Sequence, residues 1–553
     1  MSNFTKNSST IKLLWLNLVF TGASIGVTAC GGGSSNTATN PSPAVQSCKF
    51  LQKSFMINAD AYSPGDKFAT VFNNCEFERA FEDKFNTAYA DIPIISSNVR
   101  GFYSYANLQT AFERMFPVRS TPNRPFNSGD YFTDMRELSA FLANISQETN
   151  SGSPAGFDSS GKLNNASAVG VVYGLSWIDE GSCASSGVCT SYGTKKSYCD
   201  PNQPADDPRE TYTKTCNAYS ADTEYCKLAK SFCDGVNTQP TTVAYDDSNT
   251  DNQYFGRGPK QLSYASGYIT YGSYMYPDDK LKIARNPDLL SKSGEVAWGS
   301  GLAFWSYPTL PTSNTSKAKP SMHEGFLQKT TYFDSSSPNK DFDNLVGFGK
   351  TIDLINGAVE CGKQMTYVPY QVLNRVNSYI ELLFLTNYKI PIDKLVVTRN
   401  VNGQEVQDIY THDDLLNNVS RQGAAGIDFT FGFGSPLVDA TSPYAPHLVK
   451  KYHRMENGVL VEKTYNIKEL TNSLPEYMYK WGTNGRYNTQ PLISDYYYPS
   501  KMVKLTTAAG TTIVKTSDIN NITLYYDVNS PYNIQQLASE RLDCSGVTNA
   551  DGN

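Results

Sequence analysis

Eleven cysteines, ten of them downstream of residue 47, constrain this chain more than any other feature. The eleventh, Cys30, follows a mostly apolar stretch, Leu13 to Ala29, which is preceded by Lys6 and Lys12 and ends in Val27-Thr28-Ala29. A charged start, a short apolar run and small residues before a cut form a secretory signal. Asn17, Thr21 and Ser24 interrupt the run, so it is too short and too polar for a stable membrane span. An even set of ten cysteines in an exported chain implies up to five disulfides. Six of them crowd together: Cys183, Cys189, Cys199, Cys216, Cys226 and Cys233. No CxxC pair occurs and His323, His412, His447 and His453 are scattered, so neither zinc nor any other cofactor is expected.

The position of Cys30 resembles the lipobox of bacterial lipoproteins, whose cysteine is acylated and becomes the mature N-terminus. On that reading residues 1–29 are the signal, and 30–47 are the lipidated cysteine followed by a Gly/Ser/Thr/Asn/Pro tether. At about 5–6 Å × √n, such a tether reaches roughly 20–25 Å from a membrane surface. Residues 48–95, with Cys48 and Cys75, are an N-terminal extension. From 96 to 390, helical patterns alternate with polar loops, and Tyr103–Phe116, Arg136–Thr149 and Val368–Leu385 read as helices. After Pro391 the texture changes. Leu395–Thr398, Ile427–Phe433, Val459–Tyr465, Met502–Thr506, Thr511–Lys515 and Ile522–Tyr526 read as short strands, making 391–540 a β-rich module or insertion ahead of a 541–553 tail. The net charge of −6 gives no basic footprint for nucleic acid.

Several chemistries lose ground. Gly349-Lys350-Thr351 imitates the end of a phosphate loop, but Asn344 stands where its first glycine belongs. Gly256-Arg257-Gly258 runs into Pro259, the one G-x-S-x-G falls in the signal segment, and there is no H-E-x-x-H. The helix over 136–149 is more informative. Leu138, Phe141, Leu142 and Ile145 form one buried stripe that Glu148 continues in the last turn. Burial and the negative end of the helix dipole both favour the neutral form of such a carboxyl group, which suits a general acid.

Around that carboxylate the sequence resembles the family 19 glycoside hydrolases, the chitinases best known from plants. Ser146-Gln147-Glu148-Thr149-Asn150-Ser151-Gly152 is similar to S-H-E-T-T-G-G. Tyr254-Phe255-Gly256-Arg257-Gly258-Pro259-Lys260-Gln261-Leu262-Ser263 matches Y-Y-G-R-G-P-x-Q-L-S at eight of ten positions. Gly174 to Glu180, Asn286 to Leu289, Lys319 to His323, Gly347 to Gly349 and Ile355 to Gly362 resemble further family phrases in the same order. About half the chain, roughly 135–385, is covered.

The resemblance implies a mainly α, lysozyme-like catalytic domain with long disulfide-linked loops, and inverting hydrolysis of β-1,4-linked N-acetylglucosamine polymers. It makes Glu148 the acid, Glu180 the base and Ser263 a holder of the water. Glu180, in a loop rich in small polar residues, is expected solvated and ionised, with Asp179 its rival. Gln261, Asn356, Lys319 and Tyr254 would line sugar subsites, while buried Arg375 would pair with Glu360 and Glu148. Cys199 matches one family disulfide, and Cys361 with Cys544 resembles another. Trp177 and Trp305 are candidates to stack on sugars, with core packing favoured for Trp305. Trp481, Tyr477, Tyr479 and Tyr496–Tyr498 are candidates for a carbohydrate platform, though a β-module core is favoured.

The sequence also departs from the family. Ala265-Ser266-Gly267-Tyr268 lacks both asparagines of N-Y-N-Y-G, and the cysteine-rich 183–250 insertion is long. A monomeric, lipid-anchored endochitinase at the outer membrane or cell surface is the leading expectation. A peptidoglycan-cleaving lysozyme-like hydrolase and a non-catalytic surface carbohydrate-binding protein remain open.

Overall fold

The structure is a computed structural model. It describes residues 62–74, 77, 101–149, 175, 178–180, 192–202, 210–216, 222–234, 253–313, 318–327, 344–345, 347–361, 370–386, 391–412, 415, 451–456, 459–464, 502–507, 510–515, 518–527 and 539–544. The signal segment, Cys30, the tether, Cys48, Cys75, Cys183, Cys189, Trp177, the proposed strand 427–433 and the aromatic residues at 477–498 lie outside these residues.

Six longer helices carry the body of the fold. They are α1 (Tyr105–Met115), α2 (Tyr131–Glu148), α3 (Tyr264–Met275), α4 (Gly294–Ser306), α5 (Gly347–Glu360) and α6 (Tyr370–Thr386). The Ser104 side chain caps α1 by accepting from Asn107 N, and Asp130 caps α2 by accepting from Thr133 N. These caps explain why the observed helices start at 105 and 131 rather than at 103 and 136, where the sequence pattern places them.

Helix α2 is central and is buried on almost every side from Asp134 to Ser146. Its apolar stripe meets α4, where Trp298 and Trp305 lie one heptad apart. Phe141 packs edge-on against Trp305 at 5.5 Å, and Tyr103 against Trp298 at 5.6 Å. Each such ring contributes about 1.5–3 kcal/mol through burial. A helix enclosed this completely must also pair its polar residues. Glu137 accordingly accepts from Trp305 Nε1 at 2.7 Å and contacts His323 Nδ1 at 2.6 Å.

Among the described residues there are nine short strands, all but β1 following α6. A five-stranded sheet has the order β1–β9–β8–β2–β3, with β1 (Asn344–Leu345), β2 (Ile392–Val401), β3 (Gln404–Thr411), β8 (Ile519–Tyr526) and β9 (Ser539–Arg541). Its pairs are antiparallel except β1 with β9. Two hairpins stand outside it: β4 (Lys451–Glu456) with β5 (Val459–Thr464), and β6 (Met502–Thr507) with β7 (Gly510–Lys515). The sheet thus joins β1, which precedes residue 391, to strands that follow it.

Its link to the helices is a buried charge. Glu540 on β9 pairs with Arg136 Nη2 of α2 at 2.6 Å, and both side chains are fully buried. Phe348 N donates to the same carboxylate at 2.9 Å, Tyr379 OH at 3.2 Å, and Tyr526 OH donates as well.

Three disulfides occur among the described residues: Cys199–Cys233, Cys216–Cys226 and Cys361–Cys544. The last closes a loop of sequence separation 183 around the strand-rich segment. Replacing Cys361 and Cys544 by serine is expected to cost about 2–5 kcal/mol, read as a lower urea midpoint with a steeper slope, because the released unfolded chain exposes more surface.

Candidate active site

Glu148 is the last residue of α2, where Thr149 stops the helix by returning its Oγ1 to Ile145 O at 2.7 Å. Thr149 Oγ1 also accepts from Leu175 N at 2.5 Å, which ties the helix end to a residue just upstream of Glu180. The Glu148 side chain is about one-fifth exposed (19%), so it faces the solvent side of the buried stripe.

Its surroundings differ from the apolar pocket expected from the stripe. The Arg375 guanidinium, on α6, donates to Glu148 Oε1. Arg375 also makes two bonds to Glu360, at 2.9 and 2.8 Å, and reaches Asn144 Oδ1 at 3.2 Å. A helical stripe shows which face is buried but not what lies opposite, and here the opposing element supplies a cation. Asn356 sits at a break in α5, with φ −144° and ψ 29°, and its amide donates to Glu360 at 2.8 Å. The site thus holds one guanidinium, two carboxylates and two side-chain amides between three helices.

Glu180 enters from a second direction. Its N–H donates to Gly256 O at 2.8 Å, and Gly258 N donates to Ile178 O at 2.7 Å. The segment 178–180 is thereby clamped along 256–258, with Asp179 bridged to Arg257. Neighbours on an extended segment project to opposite sides, which separates the two acids. Asp179 accepts from Ser291 Oγ at 2.5 Å. Glu180 accepts from Tyr192 OH at 3.0 Å and Gly256 N at 3.3 Å.

Gly256 allows this approach. A Cβ there would stand 3.0 Å from Gln261 Oε1 and 3.4 Å from Glu180 Oε2. Glu180 is half-buried rather than solvated. Burial pushes its carboxyl group above the usual range, and the bonds from Tyr192 and Gly256 pull it partly back. The composition of the loop misled here, because Tyr192 folds over the carboxylate. Burial and the nearby Glu180 also push the Tyr192 hydroxyl upward, so it remains a donor at any working pH.

The other candidate residues divide. Gln261 lies beside Glu180 with φ +48°, its amide donating to Gly258 O at 2.9 Å. Ser263 precedes α3, and its Oγ donates to Gln261 O at 2.8 Å rather than capping the helix. Glu210 takes over the capping, accepting from Ser266 N at 3.3 Å and Ser266 Oγ at 2.7 Å. Tyr264, 40% exposed, packs edge-on against Tyr192 at 5.2 Å. Lys319 is exposed on the loop before Met322, where its backbone pairs with Thr309.

Tyr254 does not line a subsite. It is buried in the core with its hydroxyl donating to Ala284 O at 2.8 Å, so its aromatic bulk was spent on packing. Trp305 is likewise a core residue. Arg257 is wholly buried, pairing with Asp288 at 2.8 Å and lying 3.6 Å over the Phe255 ring, and so holds the turn from within. Tyr192, Glu210 and Lys260 carry no signal that sequence reasoning used. The first two lie in the cysteine-rich insertion, and contacts across a long insertion leave no periodic mark.

The family model described as class I chitinase, of glycoside hydrolase family 19, matches residues 209–388. That span includes Arg257, Gln261, Ser263, Lys319, Asn356, Glu360 and Arg375, and it begins after Glu148, Glu180 and Tyr192. Endochitinase 2 of Gossypium hirsutum is 28% identical over 284 residues, covering 51% of this chain and 65% of that protein. An endochitinase of Avena sativa is 33% identical over 138 residues, covering 25% of this chain and 60% of its own length. The chain thus spans slightly less than two thirds of these curated relatives. Among solved structures, a bacterial family 19 chitinase is 23% identical with a TM-score of 0.29, covering 57% of this chain and 95% of that one.

Proposed function

We propose that this protein is an endo-acting chitinase that hydrolyses β-1,4-linked N-acetylglucosamine polymers by single displacement with inversion. Glu148 protonates the departing glycosidic oxygen, Glu180 deprotonates a water on the opposite face, and Ser263 steadies that water. What supports the reading is that Glu148 and Glu180 are held in differently built surroundings. One ends a buried helix against Arg375, and the other is clamped at Gly256 beside Gln261 and Ser263.

The residues divide the work physically. The glycosidic oxygen becomes a leaving group only as it gains a proton, and the 19%-exposed Glu148 can deliver one from the floor of the site. The guanidinium of Arg375, locked by Glu360, fixes the orientation of the Glu148 carboxyl group. Glu180 keeps one oxygen on Tyr192 and the other on Gly256 N, which sets the plane in which it accepts a proton. Gln261 and Asn356 offer amide groups suited to hydroxyl and acetamido recognition. The proposal extends to export as a lipoprotein acylated at Cys30, working at the membrane or cell surface, with 391–540 inserted before the closing Cys361–Cys544 bridge.

Tyr192 supplies a pH test. Glu180 must be ionised to act as a base, so activity falls as pH drops through its pKa, and that acidic limb should lie above the ordinary glutamate value of 4.5. Because the Tyr192 hydroxyl stabilises the ionised form, Tyr192→Phe should raise the limb further, by roughly half to one pH unit. A limb that stays put or moves down in a pH profile of kcat/KM would remove Tyr192 from the site.

The substrate is tested by incubating protein truncated before Ser47 with chitin oligosaccharides and, separately, with peptidoglycan. Cleavage of chitin alone supports the reading. Cleavage of peptidoglycan alone, or binding without cleavage, opposes it.

A further inference from the structure

The turn before α3 is built against local preference. Gln261 and Tyr264 both take left-handed backbone, with φ of 48° and 63°, on either side of Ser263. Residues with a side chain rarely adopt that conformation, and it persists only where the surroundings hold it. Several bonds do so. Gln261 N donates to Gly258 O at 3.1 Å, Leu262 N to Arg257 O at 2.9 Å, and Tyr264 N to Tyr254 O at 2.8 Å.

Ser263 stands where a serine ordinarily caps a helix, its oxygen accepting from the backbone N–H three positions on. Here it makes no such bond, and its Oγ donates to Gln261 O at 2.8 Å instead. The N–H it would have capped, Ser266 N, donates to Glu210 at 3.3 Å, and Ser266 Oγ donates to the same carboxylate at 2.7 Å. Glu210 lies 56 positions before Ser266, in the cysteine-rich insertion, between the cysteines of the Cys199–Cys233 bridge.

One oxygen cannot serve both places. Capping would draw Ser263 Oγ toward the first turn of α3. The bond to Gln261 O holds it to the turn whose Gln261 side chain stands with Glu180 around Gly256. The attacking water carries two O–H groups. One gives its proton to Glu180, and the other needs a fixed acceptor. A serine that spends its own proton on Gln261 O keeps its lone pairs for that water.

We infer that Glu210 is a positioning residue: by capping α3 in place of Ser263, it leaves the Ser263 hydroxyl on Gln261 and able to accept from the attacking water. The inference rests on the proposed role of Ser263 and deepens it. In the reaction the bond from the water oxygen to the anomeric carbon forms as the bond to the leaving sugar breaks. One water proton passes to Glu180, and the other, held by Ser263, stays on the new hydroxyl. Glu210 itself exchanges no proton.

The test compares four variants of the full chain on chitin oligosaccharides. Glu210→Ala uncaps Ser266 N and lets Ser263 turn to it, so kcat should fall about tenfold with KM within about twofold. Glu210→Gln can still accept from Ser266 N and donate to Ser266 Oγ, so its kcat should stay within about threefold of wild type. Ser263→Ala should lower kcat by about tenfold or more, and adding Glu210→Ala to it should cost no more than about twofold further, because no hydroxyl remains to be displaced. A purely structural Glu210 predicts lower stability with kcat unchanged, or losses that multiply in the double variant. Either result overturns the inference, as does a glutamine variant no better than alanine. Should Glu210→Ala fail to fold, as judged by near-UV circular dichroism, Ser266→Ala decides. It deletes the 2.7 Å bond alone, and a severalfold fall in kcat that disappears in the Ser263→Ala background supports the inference, whereas a wild-type kcat overturns it. Ser263→Ala also separates the two levels. At wild-type kcat it refutes the role of Ser263, and the inference with it. If it is slow while Glu210→Ala behaves as wild type, only the part given to Glu210 fails.

Discussion

Glu148→Gln is expected to lower kcat on chitin oligosaccharides by about 10²–10⁴, with a much smaller change in KM. The amide is nearly isosteric and keeps an oxygen for Arg375, so the Arg375–Glu360 pair persists and the fold should be unaffected. What disappears is the transferable proton. Because that proton is handed over only as the glycosidic bond breaks, the loss belongs in kcat. A change confined to KM would instead make Glu148 a binding residue.

The second large effect concerns stability. Glu540→Ala should destabilise the protein by about 3–5 kcal/mol, measured by urea unfolding, because it strands a buried guanidinium. Arg136 is fully buried, and Glu540 is its only ion-pair partner among the described residues. The same substitution strips the acceptor from Tyr526, Tyr379 and Phe348 N. Its unusual feature is the distance in sequence, with a β9 residue neutralising an α2 residue 404 positions earlier. Replacing Arg136 and Glu540 together by leucine and methionine should cost much less than Glu540→Ala, since no lone charge remains. A double variant no milder than the single one would show that packing, not the stranded charge, dominates.

The parts of the molecule that were legible in sequence are those where a local pattern and the tertiary fold agree. The helix placed at Val368–Leu385 is observed at Tyr370–Thr386 because its apolar periodicity is uninterrupted. The strand at Ile522–Tyr526 begins earlier, at Ile519, and its alternating burial extends through Leu524 and Tyr526. The strand Gln404–Thr411 leaves little mark in the sequence, since it is an edge strand on which only Tyr410 is fully buried, so its apolar alternation is weak. The better signal was its turn. Asn402 and Gly403, with φ of 53° and 82°, form the two-residue hairpin that Asn-Gly favours.

Within the site, residue types were readable and environments were not. The end of the α2 stripe marks Glu148, while the cation facing it, Arg375 of α6, follows from the family resemblance and not from the periodicity, and the structure bears out its bonds to Glu360 and Glu148. Glu180 was assigned a wet loop from its small polar neighbours, yet Tyr192 and Gly256 enclose it. Tyr254 sits in a conspicuous motif and serves the core, because a motif can mark a turn that must be built as well as a surface that must be used. Burial and partner identity arise from non-local packing, which periodicity does not encode.

The most direct test of the account is the configuration of the first product. Time-resolved proton NMR of a chitin oligosaccharide during cleavage distinguishes the two anomers at the new reducing end before they equilibrate. If Glu148 gives a proton on one face while Glu180 activates water on the other, that end appears first as the α anomer. An initial β anomer would contradict the assignment of these two carboxylates.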